Sequence, residues 1–90
     1  MLDIYYTSKF KKDYKKIIKQ GKKTSELEKV LGYLQQQKKL PEKYKDHLLT
    51  GNYTGLRECH INPDWLLIYK IDQEKLILAL ARTGSHSELF

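Results

Sequence analysis

Trp65-Leu66-Leu67-Ile68-Tyr69-Lys70-Ile71 and, after four polar residues, Leu76-Ile77-Leu78-Ala79-Leu80-Ala81 are the stretches that decide the fold of this chain. Each is a nearly unbroken apolar run of strand length, as expected for a central strand covered on much of both faces. The polar turn Asp72 to Lys75 joins them into an antiparallel meander. Upstream, Asn62-Pro63-Asp64 reads as another turn. Before it, Tyr53 to Ile61 is predicted as a strand with Leu56, Glu58 and His60 on one side and Arg57, Cys59 and Ile61 on the other. Leu48-Leu49-Thr50 runs into the turn signal Gly51-Asn52 and supplies a further short strand.

The N-terminal half has a different period. Leu2, Ile4 and Tyr6 alternate with polar-edged neighbours over one short strand. Thr7 or Ser8 then caps a helix in which Phe10, Tyr14, Ile17 and Ile18 form one apolar stripe, and Gly21 suits its stop. Ser25 with Glu28 three residues later is a capping-box pattern for a second helix, striped by Leu27, Val30, Leu31 and Leu34 and ending before Pro41. The expected architecture is α+β: an N-terminal strand and a two-helix hairpin packed on an antiparallel sheet of about four strands. Residues 1–90 suffice for one domain and one core.

Composition narrows the class. An apolar content of 40% with 11% aromatics argues for a folded globule. The single cysteine, Cys59, has no internal partner for a disulfide. No apolar run is long enough to span a bilayer, and Met1-Leu2-Asp3-Ile4 lacks a signal-peptide pattern, so a cytoplasmic protein without a membrane partner is expected. Residues 1–46 hold 13 basic residues against 6 acids, a balance of +7, whereas residues 47–90 hold 4 against 5, a balance of −1. Eight lysines lie between Lys9 and Lys23 with Asp13 as the only acid among them. Such a helix attracts phosphate backbones or acidic protein surfaces; a solvated, solubilising face is the competing reading.

All three histidines, His47, His60 and His86, fall in the other half, at strand edges or in loops. Histidine exchanges protons near neutrality. Lysines to dock and histidines to react are thus segregated along the chain, which suggests chemistry on a polyanion. Other chemistries fit less well. Cys59 and His60 are adjacent on a strand, so their side chains diverge and cannot form a thiolate pair. Histidine intervals of 13 and 26 residues match no compact zinc pattern. Gly51 and Gly55 flank a hairpin rather than a strand-to-helix phosphate loop.

Three segments carry a resemblance: Tyr44-Lys45-Asp46-His47-Leu48-Leu49, Arg57-Glu58-Cys59-His60-Ile61-Asn62-Pro63-Asp64-Trp65-Leu66-Leu67-Ile68-Tyr69, and Arg82-Thr83-Gly84-Ser85-His86-Ser87-Glu88-Leu89-Phe90. In order, spacing and surrounding elements the chain resembles the YafQ family of toxins in the RelE/ParE superfamily. The resemblance implies the toxin of a type II toxin–antitoxin module. Its activity would be ribosome-dependent mRNA endoribonuclease, needing no metal or other cofactor, with ribosome, mRNA and a cognate antitoxin as partners. It points to His47, His60, Asp64 and His86 for catalysis and to Arg82 and Phe90 for RNA. Lys9, Lys12, Lys15, Lys16 and Lys19 would dock the polyanion, and the antitoxin should be acidic where it meets them.

The chemistry needs these residue types. Cleavage by the neighbouring 2′-hydroxyl requires a base for that proton, an acid for the leaving 5′-oxygen and positive charge on the phosphate. His86, in a polar Gly-Ser-His-Ser stretch, is expected as the acid, with His60 or Asp64 as the base. The plainer alternatives are local bonding for His47, packing for His60 and a turn-stabilising role for Asp64. For Arg82 the alternative is an ion pair with Glu58 or Glu88, and for Phe90 it is core cover. Two other classes share the fold: a non-catalytic ParE-like toxin that binds a topoisomerase, and a plain RNA-binding module.

Overall fold

The computed structural model describes residues 1–90. Ten short elements follow one another: β1 (Asp3–Tyr6), α1 (Ser8–Lys19), α2 (Thr24–Gln35), a 3-10 turn (Glu42–Tyr44), β2 (His47–Leu48), a second 3-10 turn (Gly51–Tyr53), β3 (Arg57–Asn62), β4 (Trp65–Asp72), β5 (Ile77–Gly84) and α3 (His86–Leu89). The two apolar runs are β4 and β5, antiparallel neighbours at the middle of the sheet. The sheet order is β1-β5-β4-β3-β2: the four antiparallel strands expected, with the N-terminal strand joined to them at one edge. That edge strand, β1, pairs parallel to β5 from Asp3 opposite Ile77 to Tyr6 opposite Leu80.

Both long helices cover one face of the sheet. Phe10 and Ile17 of α1 and Leu27, Val30, Leu31 and Leu34 of α2 join Cys59, Ile61, Trp65, Leu67, Tyr69, Leu78 and Leu80 in one core cluster. Burying a leucine, isoleucine or phenylalanine side chain contributes about 1.5–3 kcal/mol, so this face supplies most of the fold's apolar stabilisation. Trp65 also satisfies its indole N–H, which donates to Thr83 Oγ1 at 2.7 Å. The opposite face has a much smaller cluster, in which Leu89 of α3 covers Leu66 and Ile68.

Several local expectations are corrected. Thr7 does cap α1, accepting from the Phe10 N–H at 3.1 Å, but Ile18 is exposed while Phe10 and Ile17 are buried. The second helix starts at Thr24, with Lys23 at its cap position and no side-chain cap, so Ser25 and Glu28 form no capping box. A capping box does exist, from Ser85 to Glu88 at α3, where a loop or short turn is expected from the sequence. Strand β3 begins only at Arg57, because Gly55 takes a φ of +90° and the chain before it is wound into a 3-10 turn. Leu76 belongs to the turn, not to β5; Asp72 Oδ1 accepts from the Glu74 and Lys75 N–H groups at 3.0 Å each, and the turn closes with Leu76 at a φ of 54°.

Candidate active site

Register places the reactive residues. Across β2, β3, β4 and β5 one row reads His47, Glu58, Ile68, Arg82, and the next reads His60, Leu66, Gly84. Residues directly opposite on paired strands share a face. Because Ile68 and Leu66 lie under Leu89, this is the face turned away from α1 and α2. Alternation along β3 therefore sends Cys59 and Ile61 into the core and Glu58 and His60 to the other side, as the sequence pattern predicts.

His47 is anchored from two sides. Its Nδ1 lies 2.7 Å from the Lys45 carbonyl oxygen, which can only accept, so Nδ1 carries a proton and donates. Lys45 makes this possible by adopting a left-handed backbone with a φ of 49°. Next to it, Asp46 takes the Arg57 guanidinium on one carboxylate edge, with Nη2 at 3.0 Å and Nε at 3.3 Å from Oδ2, and accepts from the Tyr69 hydroxyl. Arg57 is thus an ion-pair residue, with Asp46 as its partner. Burial pushes the Tyr69 hydroxyl well above the ordinary phenol range, and its bond to Asp46 adds to this, so it remains a donor. The fixed Asp46 sets where His47 emerges.

Between His47 and His60 stands Glu58, a residue not selected from the sequence. It is 4% exposed. Its Oε1 lies 3.4 Å from His47 Nε2 and 3.7 Å from His60 Nε2, and the two imidazole centroids are 6.5 Å apart. The signal for Glu58 was its place in the alternation, two residues before His60 and on the same side of β3.

His86 stands apart from that trio as the first residue of α3. It stacks on Phe90, one helical turn on, with centroids 4.8 Å apart and planes 25° from parallel. Tyr53 meets Phe90 edge-on at 5.3 Å and donates to the Leu89 carbonyl at 3.0 Å, pinning the end of the chain. The α3 start is fixed by its capping box: the Ser85 N–H donates to Glu88 Oε1 at 2.8 Å, and the Glu88 N–H to Ser85 Oγ at 3.3 Å. Those Ser85 bonds, with Lys16 Nζ 3.5 Å away, hold the Glu88 carboxyl below its ordinary range. His86 follows Gly84 by two residues, and Gly84 lies two strands from His60 in the same row, roughly 10 Å across the sheet.

The remaining candidates differ in how far they are committed. Arg82 pairs with neither Glu58 nor Glu88. Asp13 of α1 takes it instead, with Nε at 2.7 Å and Nη2 at 3.0 Å, and the same carboxylate accepts from the Thr83 N–H at 3.1 Å. This leaves three of its five N–H donors uncommitted to Asp13. Asp64 sits exposed on the β3–β4 turn; its N–H donates to Asn62 Oδ1, and its carboxylate bonds to no other side chain. The structure does not join it to His60. Lys9, Lys12, Lys15, Lys16 and Lys19 are exposed along α1, with Lys16 reaching Glu88. No group of three or more His, Cys, Asp or Glu side chains is arranged to hold a metal ion. The larger cavities lie elsewhere, so the histidines stand on an open face.

Solved structures with this architecture include bacterial toxins. A metal-bound toxin from Helicobacter pylori matches with a TM-score of 0.94 and 48% identity over the whole of both chains. YafQ in the Escherichia coli DinJ–YafQ complex matches with a TM-score of 0.88 and 38% identity, covering 100% of this chain and 99% of that one. Fold and site define a small α+β toxin of the type II toxin–antitoxin class. The chain belongs to the family described as bacterial toxin of type II toxin-antitoxin system, YafQ, whose model matches residues 2–90. It is 39% identical over 89 residues to the mRNA interferase toxin YafQ of Escherichia coli K12, spanning 98% of this chain and 95% of that protein.

Proposed function

We propose that this toxin is an mRNA endoribonuclease that cuts messages on the ribosome, through the face formed by His47, Glu58, His60 and α3. Its curated relatives carry the name mRNA interferase, and their identity to this chain covers nearly its whole length. The carrying observation is the gathering of His47 and His60 on one open sheet face, with His86 fixed at the start of α3 at the same end of that face. An open face suits an extended strand of nucleic acid better than a small metabolite, which needs enclosure.

In the proposed reaction a 2′-hydroxyl attacks the neighbouring phosphorus, giving a 2′,3′-cyclic phosphate and a free 5′-hydroxyl. His60 takes the 2′-proton, His86 returns a proton to the leaving 5′-oxygen, and Arg82 with His47 meets the phosphate charge. Phe90, stacked on His86 and 53% exposed, offers its ring to a base. The lysines of α1 add the sequence-independent attraction to RNA. Asp64 is close in sequence to His60, but its carboxylate bonds to no other side chain, so its part is to meet substrate rather than to orient the imidazole. A cognate antitoxin, acidic where it meets the lysines, would hold this toxin inactive, as the complex of its Escherichia coli relative with DinJ suggests.

Purified protein mixed with programmed ribosomes, with 5′ ends mapped by primer extension, tests the reading. The expected result is codon-phased cuts by the wild type and a loss of about 10²–10⁴-fold in His86→Gln. Intact message alongside stalled gyrase complexes would instead assign the chain to the topoisomerase-binding toxins.

A further inference from the structure

Glu58 is the charged side chain that the fold buries most completely, at 4% exposure. Its Oε2 is enclosed and has no hydrogen-bond partner. Oε1 has only His47 Nε2 at 3.4 Å and His60 Nε2 at 3.7 Å within charge-pairing distance. No other group is placed to compensate it. Across β4 the row continues with apolar Ile68; Arg82, at the far end of the row, is engaged by Asp13, and Arg57, next along the strand, by Asp46. Cys59 points into the core, where burial pushes its thiol up and keeps it neutral. A carboxylate enclosed in this way is costly unless a cation pairs with it.

The available cation is an imidazolium, and the geometry selects which ring provides it. His47 Nδ1 already holds a proton for the Lys45 carbonyl. A second proton on Nε2, the nitrogen facing Glu58, makes the ring cationic without any rearrangement. One carboxylate cannot offset two imidazolium rings, so the farther ring, His60, stays neutral. We infer that Glu58 is a positioning residue that holds His47 as the imidazolium beside a neutral His60. Resting on the nuclease reading, this divides the labour of two otherwise similar histidines: His47 presents positive charge to the phosphate, and His60 is free to accept the 2′-proton. It also offsets the partial commitment of Arg82 to Asp13.

Imidazole 15N NMR of the full chain at pH 7 reads the proton on each ring nitrogen. Both His47 nitrogens should be protonated in the wild type, and Nε2 should lose its proton in Glu58→Gln, whose amide can donate to it. His60 should be neutral in both proteins. In the ribosome assay the same variant should lose about 10²-fold in kcat with KM unchanged. A bare His47 Nε2 in the wild type, a proton there that survives in Glu58→Gln, or an unchanged kcat overturns the inference. The wild-type spectrum decides even where the variant fails to fold. The spectra require no RNA, so a wild type that cuts nothing would overturn the nuclease reading while leaving the assignment of protons to stand or fall on the NMR.

Discussion

The two faces of the sheet obey different rules. Under α1 and α2, strands β3 to β5 present Cys59, Ile61, Trp65, Leu67, Tyr69, Leu78 and Leu80, all buried, with Trp65 spending its one polar atom on Thr83. On the other side Leu66 and Ile68 have only Leu89 of a single helical turn above them, and the same face carries Glu58 without a full set of partners. One side is complete in packing and hydrogen bonding; the other leaves polar groups in want of something. Stability and chemistry are therefore assigned to opposite sides of strands a single residue thick, and substitutions at neighbouring positions should report on different properties.

The sharpest break in that comparison comes from Trp65→Ala. It removes the largest core side chain and the indole donor to the Thr83 hydroxyl, which keeps its own bond to the Leu66 carbonyl, and it should cost about 3–5 kcal/mol, read as a large fall in the denaturant midpoint. His86→Gln, exposed on the other side, should leave that midpoint within about 0.5 kcal/mol of the wild type while activity collapses. A Trp65→Ala protein as stable as the wild type would remove the distinction between the faces.

Asp13 tests the seam between them, since it is a residue of α1 that holds β5 residues from both sides. Asp13→Asn should destabilise the fold by about 1–2 kcal/mol, because it weakens the Arg82 pair and the bond from the Thr83 N–H together. Activity should fall less than tenfold if Asp13 merely aims the guanidinium. A rise in cleavage would show instead that the pair withholds Arg82 from RNA.

How much of this was legible in the sequence follows the same division. The packed face was readable because burial imposes periodicity: the β4 run, the alternation along β3 from Arg57, the β5 run from Ile77 and the α2 stripe lie where the pattern puts them. The parallel β1–β5 pair was not readable, since four residues of which only Ile4 is partly buried do not say which edge they join. On the site face, residue type singled out His47, His60, Asp64, Arg82, His86 and Phe90, yet their partners came from register. Asp13, 69 residues before Arg82, could not be chosen over Glu58 or Glu88 by spacing. Glu58 was passed over because residue type alone does not show a carboxylate to be buried, and its place beside His47 comes from the β2–β3 register.

The smallest effect concerns the hinge that brings His86 to the site. The Ser85 N–H and hydroxyl hold the Glu88 carboxyl below its ordinary value, so between the lowered and ordinary values the unfolded chain binds more protons than the folded one. Stability from this cap is thus fully present above the ordinary glutamate value of about 4.3 and is lost as pH falls through the lowered one. The difference in stability between wild type and Glu88→Gln should be greatest at neutral pH and shrink toward zero in acid, measured by chemical denaturation across that range. Lys16→Ala, which removes only the outer ion pair, should reproduce no more than about 0.5 kcal/mol of it. Because the capping box orients the first residue of α3, Glu88→Gln should also loosen the His86–Phe90 stack, visible as weakened ring contacts in NMR spectra. A pH-independent difference would mean that the carboxylate's charge is irrelevant to the cap and that the apolar contact of Leu89 alone keeps α3, and with it His86, on the open face.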